Sequence, residues 1–186
     1  MGAGQERRVP TTPALAPEAA RSHTPPMRGM DDKPRSSPLV PDAVAAEIAR
    51  HDWESVECGC GRSALHLEDT LWAAAEGHPA AFRALEGHAF AGKRLAPPAP
   101  AVSGVLMAVW EAGPPRRATR EALLWTVLAL LGTEDDGSSH EAGLYGQSTA
   151  FVRRGLPAIH REAAHAPGTV SAAYAGGIVD ILGLRA

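Results

Sequence analysis

The sequence predicts an all-α protein, a short α-solenoid of about three helical hairpins behind a low-complexity leader. Apolar residues recur at helical spacing, Gly and Pro residues separate the helical segments, and no segment is a convincing strand. The helices pair at about 66–91, 100–131 and 148–183. Pairs spaced by roughly 40–47 residues are typical of solenoids, in which each pair buries its face against the next. The alternative is an irregular all-α bundle.

The first part of the chain differs in composition from the rest. Residues 1–41 are rich in Pro, Ser, Thr and Ala, and their charges nearly cancel. Such a segment buries too little apolar surface to offset the entropy of ordering, so we expect a disordered, Pro-rich leader. The helical-repeat domain is then expected at residues 42–186.

The domain is predicted to open with short helices. Pro41-Asp42 is predicted to cap a helix over 43–52. Residues 53–63 lack a helical period and are interpreted as a loop. Helices follow over 67–76 and from Pro79 to about Gly92. The buried face of the last of these is predicted to contain Phe82, Leu85, Ala89 and Phe90.

The most apolar stretch predicts a central αα-hairpin. Pro100 suits the first turn of a helix, and Gly113 suits the left-handed residue just past its end. A second helix runs from about Thr119 to Gly132 and is apolar almost all round, so it needs neighbours on several sides. The first helix carries one stripe of residues: Val102, Val105, Leu106, Val109 and Trp110.

Three more helices are expected after a polar loop at 132–147. Ser148 is predicted to cap a helix that ends at Gly155, and Pro157 begins another. Thr169 is predicted to cap the last helix, where Gly176 and Gly177 indicate close backbone packing or a kink.

Composition and charge exclude several classes of function. A net charge of −3 over 186 residues argues against a nucleic-acid-binding module, which normally carries a basic excess on one face. The longest apolar run, at 122–131, is too short to span a bilayer. Cys58 and Cys60 are too close for an unstrained disulfide, so we expect reduced thiols and a cytoplasmic protein.

One group of residues has the composition of a metal site. Cys58 and Cys60 lie in a Gly-rich loop flanked by His51 and His66, and thiolates and imidazoles are good zinc ligands. The C-x-C spacing departs from the usual C-x₂₋₄-C, so the prediction is no cofactor, with zinc as the alternative. The competing interpretation is a Gly-rich turn with two small buried thiols.

Two motifs that resemble catalytic ones fail on geometry. His160 and His165 lie five residues apart, which puts them on different faces of a helix and not on the shared face of a zinc protease. Ser148 has the surroundings of a helix cap and lacks the strand that a nucleophile elbow requires. We therefore predict a non-enzymatic protein.

The order of several short segments resembles a group of actinobacterial HEAT-repeat proteins, which are armadillo-like α-solenoids. The segments are Trp53-Glu54, residues 61–64, Ala84-Leu85, the connection from Gly92 into residues 99–102, and residues 152–157. The resemblance covers about residues 52–184 and implies a HEAT-like fold with a protein-binding, adaptor or immunity-like role. The chain departs from the pattern at residues 90–92, which read Phe-Ala-Gly where a polar triplet is expected.

The leading functional hypothesis is therefore a protein–protein interaction module whose partner is another protein. Its surface is expected on the second helix of each pair and on the loop at 132–147. Four residues are candidates for the contact: Trp53, Arg94, Arg153 and Arg154. The alternative hypothesis is a small zinc-binding protein that uses the Cys58–Cys60 loop.

Overall fold

A computed structural model describes residues 35–114, 116–133, 143–165 and 167–184. This part of the chain is all-α, as predicted, and contains seven helices and one two-stranded hairpin. Residues 1–34, which hold most of the predicted leader, and residues 134–142 of the predicted polar loop lie outside the described residues. The helices are α1 (Asp42–Ala49), α2 (Leu65–Ala75), α3 (Pro79–Arg83), α4 (Ala99–Glu111), α5 (Arg117–Leu131), α6 (Leu144–His165) and α7 (Val170–Leu184).

The helices pack in two layers. One layer contains α2, α4 and α6, with α4 in contact with both of the others, and α1 also packs on α4. The other layer contains α3, α5 and α7, with α5 in contact with both of the others. Consecutive helices α2–α3, α4–α5 and α6–α7 also pack on each other, so each pair crosses from one layer to the next.

The central hairpin forms as predicted. Pro100 lies in the first turn of α4, and Gly113 beyond its end has a φ of +81°. In the core, Leu106 of α4 and Leu123 and Leu124 of α5 are completely buried. The apolar period of this stretch therefore predicted both the helices and their place at the centre of the fold.

Two buried hydroxyl groups of α5 contact the backbone of the α2–α3 pair. Thr119 Oγ1 donates a hydrogen bond to the carbonyl of Gly77 at 2.9 Å. Thr126 Oγ1 donates to the carbonyl of Ala122 within α5 at 2.9 Å and also lies 3.3 Å from the carbonyl oxygen of Phe82. Both threonines are completely buried. A buried hydroxyl without a partner would be costly, so the bond from Thr119 helps to fix the start of α5 against the turn between α2 and α3.

Residues just before the predicted boundary at residue 41 contact the helices. The Arg35 guanidinium pairs with Asp69 and lies 5.3 Å from the ring centroid of Trp72. Val40 is 6% exposed and belongs to the core. These contacts join the last residues of the predicted leader segment to α2 and the core.

The helix predicted from Pro79 to about Gly92 is much shorter in the structure. Helix α3 ends at Arg83, and the chain then turns into a hairpin of β1 (Phe90–Ala91) and β2 (Arg94–Leu95), with Phe90 opposite Leu95. Gly87 and Gly92 adopt φ values of +81° and +57°, which a continuous helix excludes. The predicted buried residues are nevertheless buried, namely Phe82, Leu85, Ala89 and Phe90.

Helix α6 is continuous where two helices were predicted. Pro157 lies inside it, and Ser148 is a buried residue of the helix, so the prediction of a cap at Ser148 was wrong. The apolar face continues past the proline to Ile159, and its packing on α4 offsets the lost backbone hydrogen bond. The end of the Met107 side chain fills the space beside Gly155, where a Cβ would lie 2.0 Å from Met107 Cε.

The last helix begins as predicted. Thr169 Oγ1 accepts a hydrogen bond from the backbone N–H of Ala172 at 3.2 Å, which is the contact of an N-cap. A Cβ at Gly177 would lie 3.2 Å from Leu128 Cδ1, so α7 approaches α5 closely there. Among the helices described, none combines the length and the apolar character needed to cross a bilayer.

Candidate metal centre

Four potential metal ligands from three separate segments meet at one point. Cys58 and Cys60 come from the loop before α2, His66 from the first turn of α2, and His88 from the turn before β1. One ligand atom from each residue can be chosen so that all four lie within 4.8 Å of one another. We call this candidate metal-binding group the metal centre.

The loop that carries both cysteines is closed by its own backbone. The N–H of Cys58 donates to the carbonyl of Arg62 at 2.7 Å, and the N–H of Gly61 donates to the carbonyl of Cys58 at 2.8 Å. Gly61 has a φ of +76°, which glycine adopts without strain. A bridge between Glu57 and Ser63 closes the base of the loop. This tight turn places both sulfur atoms beside the first turn of α2.

Gly59 allows this loop to lie directly on the turn that carries His88. Its N–H donates to the His88 carbonyl at 2.9 Å. A Cβ at this position would lie only 2.8 Å from the same oxygen and 3.2 Å from the carbonyl oxygen of Gly87. A side chain would push the two segments apart, so the glycine in C-G-C is required by the backbone contact that brings His88 to the cysteines.

The distances among three of the four ligand atoms, those of Cys58, His66 and His88, are close to the edges of a tetrahedral zinc site. Cys58 Sγ lies 3.3 Å from His88 Nδ1 and 3.6 Å from His66 Nε2, and the two histidine nitrogens are 3.1 Å apart. Cys60 Sγ lies farther out, 4.0 Å from His66 Nε2. Zinc bond lengths of about 2.3 Å to sulfur and 2.0 Å to nitrogen give tetrahedral edges of roughly 3.3–3.8 Å.

A hydrogen bond to the backbone orients the ring of His66. His66 Nδ1 lies 2.9 Å from the carbonyl oxygen of Ser63. A carbonyl only accepts, so Nδ1 carries the proton and the lone pair of Nε2 faces Cys58 and His88. Metal-binding histidines commonly have such a partner on the other ring nitrogen. The His66 and His88 rings meet edge to face with their centroids 4.8 Å apart.

The two thiols have different environments. Cys58 is only 2% exposed, and this burial raises the pKa of its thiol. The backbone N–H and the guanidinium of Arg62 favour the thiolate form of Cys60 and lower its pKa to about 6. The exposed Cys60 is thus a thiolate at neutral pH, which is the form of cysteine that binds metal.

Three of the four ligands proposed from the sequence are in this cluster, and the fourth is not. His51 lies elsewhere, with Nε2 3.3 Å from Glu47 Oε1 and its ring against Trp53. His88 takes the place that was assigned to His51. Its separation of 30 residues from Cys58 concealed it, since no spacing rule connects two segments that meet only after folding.

The residues proposed for protein contact are dispersed. Trp53 is 3% exposed and its Nε1 donates to the carbonyl of Ile48 at 2.8 Å, so it belongs to the core. Arg94 is exposed on β2 and lines a shallow groove that Cys58 also borders. Arg153 and Arg154 are exposed on α6, where the Arg154 guanidinium lies 4.4 Å from the ring centroid of Phe151.

The comparisons with known proteins leave the family open. Neither the protein-family models, nor the curated proteins, nor the solved structures contain a match to this chain. The resemblance to HEAT-repeat proteins therefore stays a prediction.

Proposed function

We propose that this chain is a zinc-binding helical protein in which Cys58, Cys60, His66 and His88 hold one ion. The observation that carries the proposal is the meeting of four ligand atoms within 4.8 Å although they come from three segments of the chain. The preorganised turn at Gly59 and the oriented ring of His66 add to it, because both place donor atoms without using them for other contacts in the core.

The donor set favours zinc over the hard cations. Two sulfur and two imidazole donors suit zinc, whereas calcium and magnesium select carboxylate, carbonyl and water oxygens. Four protein ligands complete a tetrahedral shell, and structural zinc sites have that closed arrangement while catalytic sites keep a position for water. The donor count therefore supports a structural, non-enzymatic role. Neither cysteine forms a disulfide, and cysteines that bind a metal as thiolates need a reducing compartment. A cytoplasmic location is therefore part of the proposal.

The metal would connect segments that have little regular structure. Residues 53–64 and residues 84–97, which we call the centre loops, contain only the two short strands and isolated bridges. One ion bound to Cys58, His66 and His88 would join both loops to the N-terminus of α2. Because these ligands converge only in the folded chain, the free energy of metal binding would add to the stability of the folded state.

The test is the metal content of the purified full-length protein, with matched histidine variants. After dialysis against buffer without chelator, we expect inductively coupled plasma mass spectrometry to find about one zinc ion per chain. His88→Ala is expected to lose the bound zinc, and His51→Ala to keep it. His51 is the matched control because it is another partly buried histidine, outside the metal centre. Wild type without zinc, or equal loss in both variants, would overturn the proposal.

We also propose that the three helical pairs form a short solenoid of HEAT type that binds another protein. The two-layer contacts of α2 to α7 support it, since each helix packs on its equivalent in the next pair. Arg153 and Arg154 are exposed cations on α6 and are candidates for contact with an acidic partner.

Co-purification from the source organism tests this second proposal. We expect one protein to be retained in stoichiometric amount by the wild type and lost from an Arg153→Glu, Arg154→Glu variant of unchanged thermal stability. The His51→Ala variant is the control that should retain it. A protein that binds the arginine variant equally well would contradict the role of these residues.

A further inference from the structure

We infer that Cys60 is the reactive ligand of the metal centre, a modification site at which electrophiles and peroxides attack and release the metal. The inference rests on the proposed zinc binding. It goes beyond that proposal because it assigns different roles to the two cysteines, one that holds the ion and one that connects the centre to the solvent.

The first observation is the contrast in burial between the two thiols. Cys58 is 2% exposed, whereas Cys60 is exposed. Cys58 Sγ is surrounded by His88 Nδ1 at 3.3 Å, His66 Nε2 at 3.6 Å and the His88 carbonyl at 3.6 Å. These neighbours occupy the approaches to the sulfur of Cys58. The sulfur of Cys58 is therefore less accessible to a reagent from solution than the sulfur of Cys60.

The second observation is the open space around Cys60. Its neighbours in the chain are Gly59 and Gly61, which have no side chains to cover it. A Cβ built at Gly61 meets no atom within 4 Å, so the turn is open to solvent there. Cys60 Sγ also lies 4.0 Å from His66 Nε2, farther than Cys58 lies from either histidine. Cys60 is thus the outermost ligand and the one most accessible to a reagent.

The chemistry follows from the thiolate. With iodoacetamide, the Cys60 sulfur forms a bond to the CH₂ carbon, the carbon–iodine bond breaks and iodide leaves. With hydrogen peroxide, the sulfur attacks one oxygen, the O–O bond breaks, hydroxide leaves and a sulfenic acid forms; the sulfur is oxidised by two electrons and the peroxide is reduced. Neither product retains the thiolate charge that binds the metal. Three protein ligands then remain, and a chelator in solution removes the ion.

The experiment follows alkylation and metal release together in the full-length, zinc-loaded protein. Iodoacetamide is added in the presence of a chromogenic zinc chelator, and peptide mass spectrometry measures the modified fraction of each cysteine. We expect Cys60 to react at least about tenfold faster than Cys58, with one zinc released for each Cys60 modified. In urea the two thiols should react at similar rates, which controls for their intrinsic reactivity. Hydrogen peroxide should release zinc from the wild type in the same way.

Each outcome bears on a different claim. Zinc content of the untreated protein tests the proposed function, and a protein without zinc removes both that proposal and this one. In a zinc-loaded protein, equal or faster modification of Cys58 overturns the inference alone. So does full modification of Cys60 without release of zinc. A Cys60→Ser variant that still binds zinc is expected to retain it after iodoacetamide treatment; release from that variant would likewise overturn the assignment.

Discussion

The central helices and the centre loops are held in place by different means. Helices α4 and α5 meet through large, fully buried side chains such as Leu106, Leu123 and Leu124. The centre loops meet through backbone hydrogen bonds, of which Gly59 to His88 is one, and through the four polar groups of the metal centre. Apolar packing stabilises the helices without any ligand, whereas four convergent donor atoms stabilise the loops mainly when they bind an ion. The stability of one region should therefore be independent of metal and that of the other should depend on it.

The largest expected effect is in the central helices. Leu124→Ala removes a completely buried side chain and should lower the free energy of unfolding by about 2–5 kcal/mol. Urea denaturation measures this cost, which should be the same with and without a chelator. Leu39→Ala is the matched control, because Leu39 is 69% exposed and its truncation should change stability by less than about 0.5 kcal/mol. A cost for Leu124→Ala that disappears on chelation would break the comparison.

Removal of the metal should have the next largest effect. At a free zinc concentration one hundred times Kd, binding stabilises the folded protein by about 2.7 kcal/mol, and chelation should remove that amount. Hydrogen exchange should localise the change: the amides of Cys58, Gly59 and Gly61 should exchange faster, and those in the middle of α5 should not. A Cys58→Ser variant should be insensitive to the chelator. Equal acceleration of exchange in α5 would contradict the distinction between the regions.

Two glycine substitutions sharpen the comparison. Gly59→Ala places a Cβ 2.8 Å from the His88 carbonyl oxygen, so it should separate the centre loops and weaken zinc binding about tenfold or more. Gly176→Ala in α7 meets nothing within 4 Å and should stabilise the helix by roughly 0.5–1 kcal/mol. Competition with a chelator of known affinity and urea denaturation measure the two effects. A Gly59→Ala protein with wild-type affinity would show that this contact does not position the ligands.

The smallest effect concerns the rate at which Cys60 reacts in the chelated protein. Because Arg62 lowers the pKa of Cys60 to about 6, this residue is a thiolate above that pH and is protonated below it. Its alkylation rate should therefore rise with pH and reach half of its plateau near pH 6. Burial raises the pKa of Cys58, so the rate at Cys58 should still be rising in alkaline solution. A Cys60 midpoint near the ordinary value for a thiol would contradict the role of Arg62.

The helices were predictable because their cause is local. The period of apolar residues in α4 and α5 determines which face is buried, and Pro100 and Thr169 mark helix starts through contacts within a few residues. The continuous α6 was missed because packing on α4 overrides the break that Pro157 indicates. The hairpin of β1 and β2 was missed because Gly87, with its positive φ, turns the chain after α3 has ended at Arg83. The burial of Phe82 and Leu85 gave no sign of this turn, since a continued helix would bury them as well.

The metal centre was only partly predictable because its cause is tertiary. Cys58, Cys60 and His66 lie within nine residues of sequence, and their composition identified them as candidates. His88 joins them through the backbone contact of Gly59, which no spacing along the chain reveals. In the sequence, the glycine between the two cysteines was interpreted only as part of a Gly-rich loop, whereas its physical role is to let two backbones approach.

X-ray absorption at the zinc edge of the purified full-length protein tests the central claim most directly. Four ligands from Cys58, Cys60, His66 and His88 predict two sulfur neighbours at about 2.3 Å and two nitrogen neighbours at about 2.0 Å around a single ion. The His51→Ala variant should give the same spectrum, and His88→Ala should lose a nitrogen neighbour or the ion itself. A wild-type spectrum with only nitrogen and oxygen neighbours, or a protein that binds no zinc, would contradict the account.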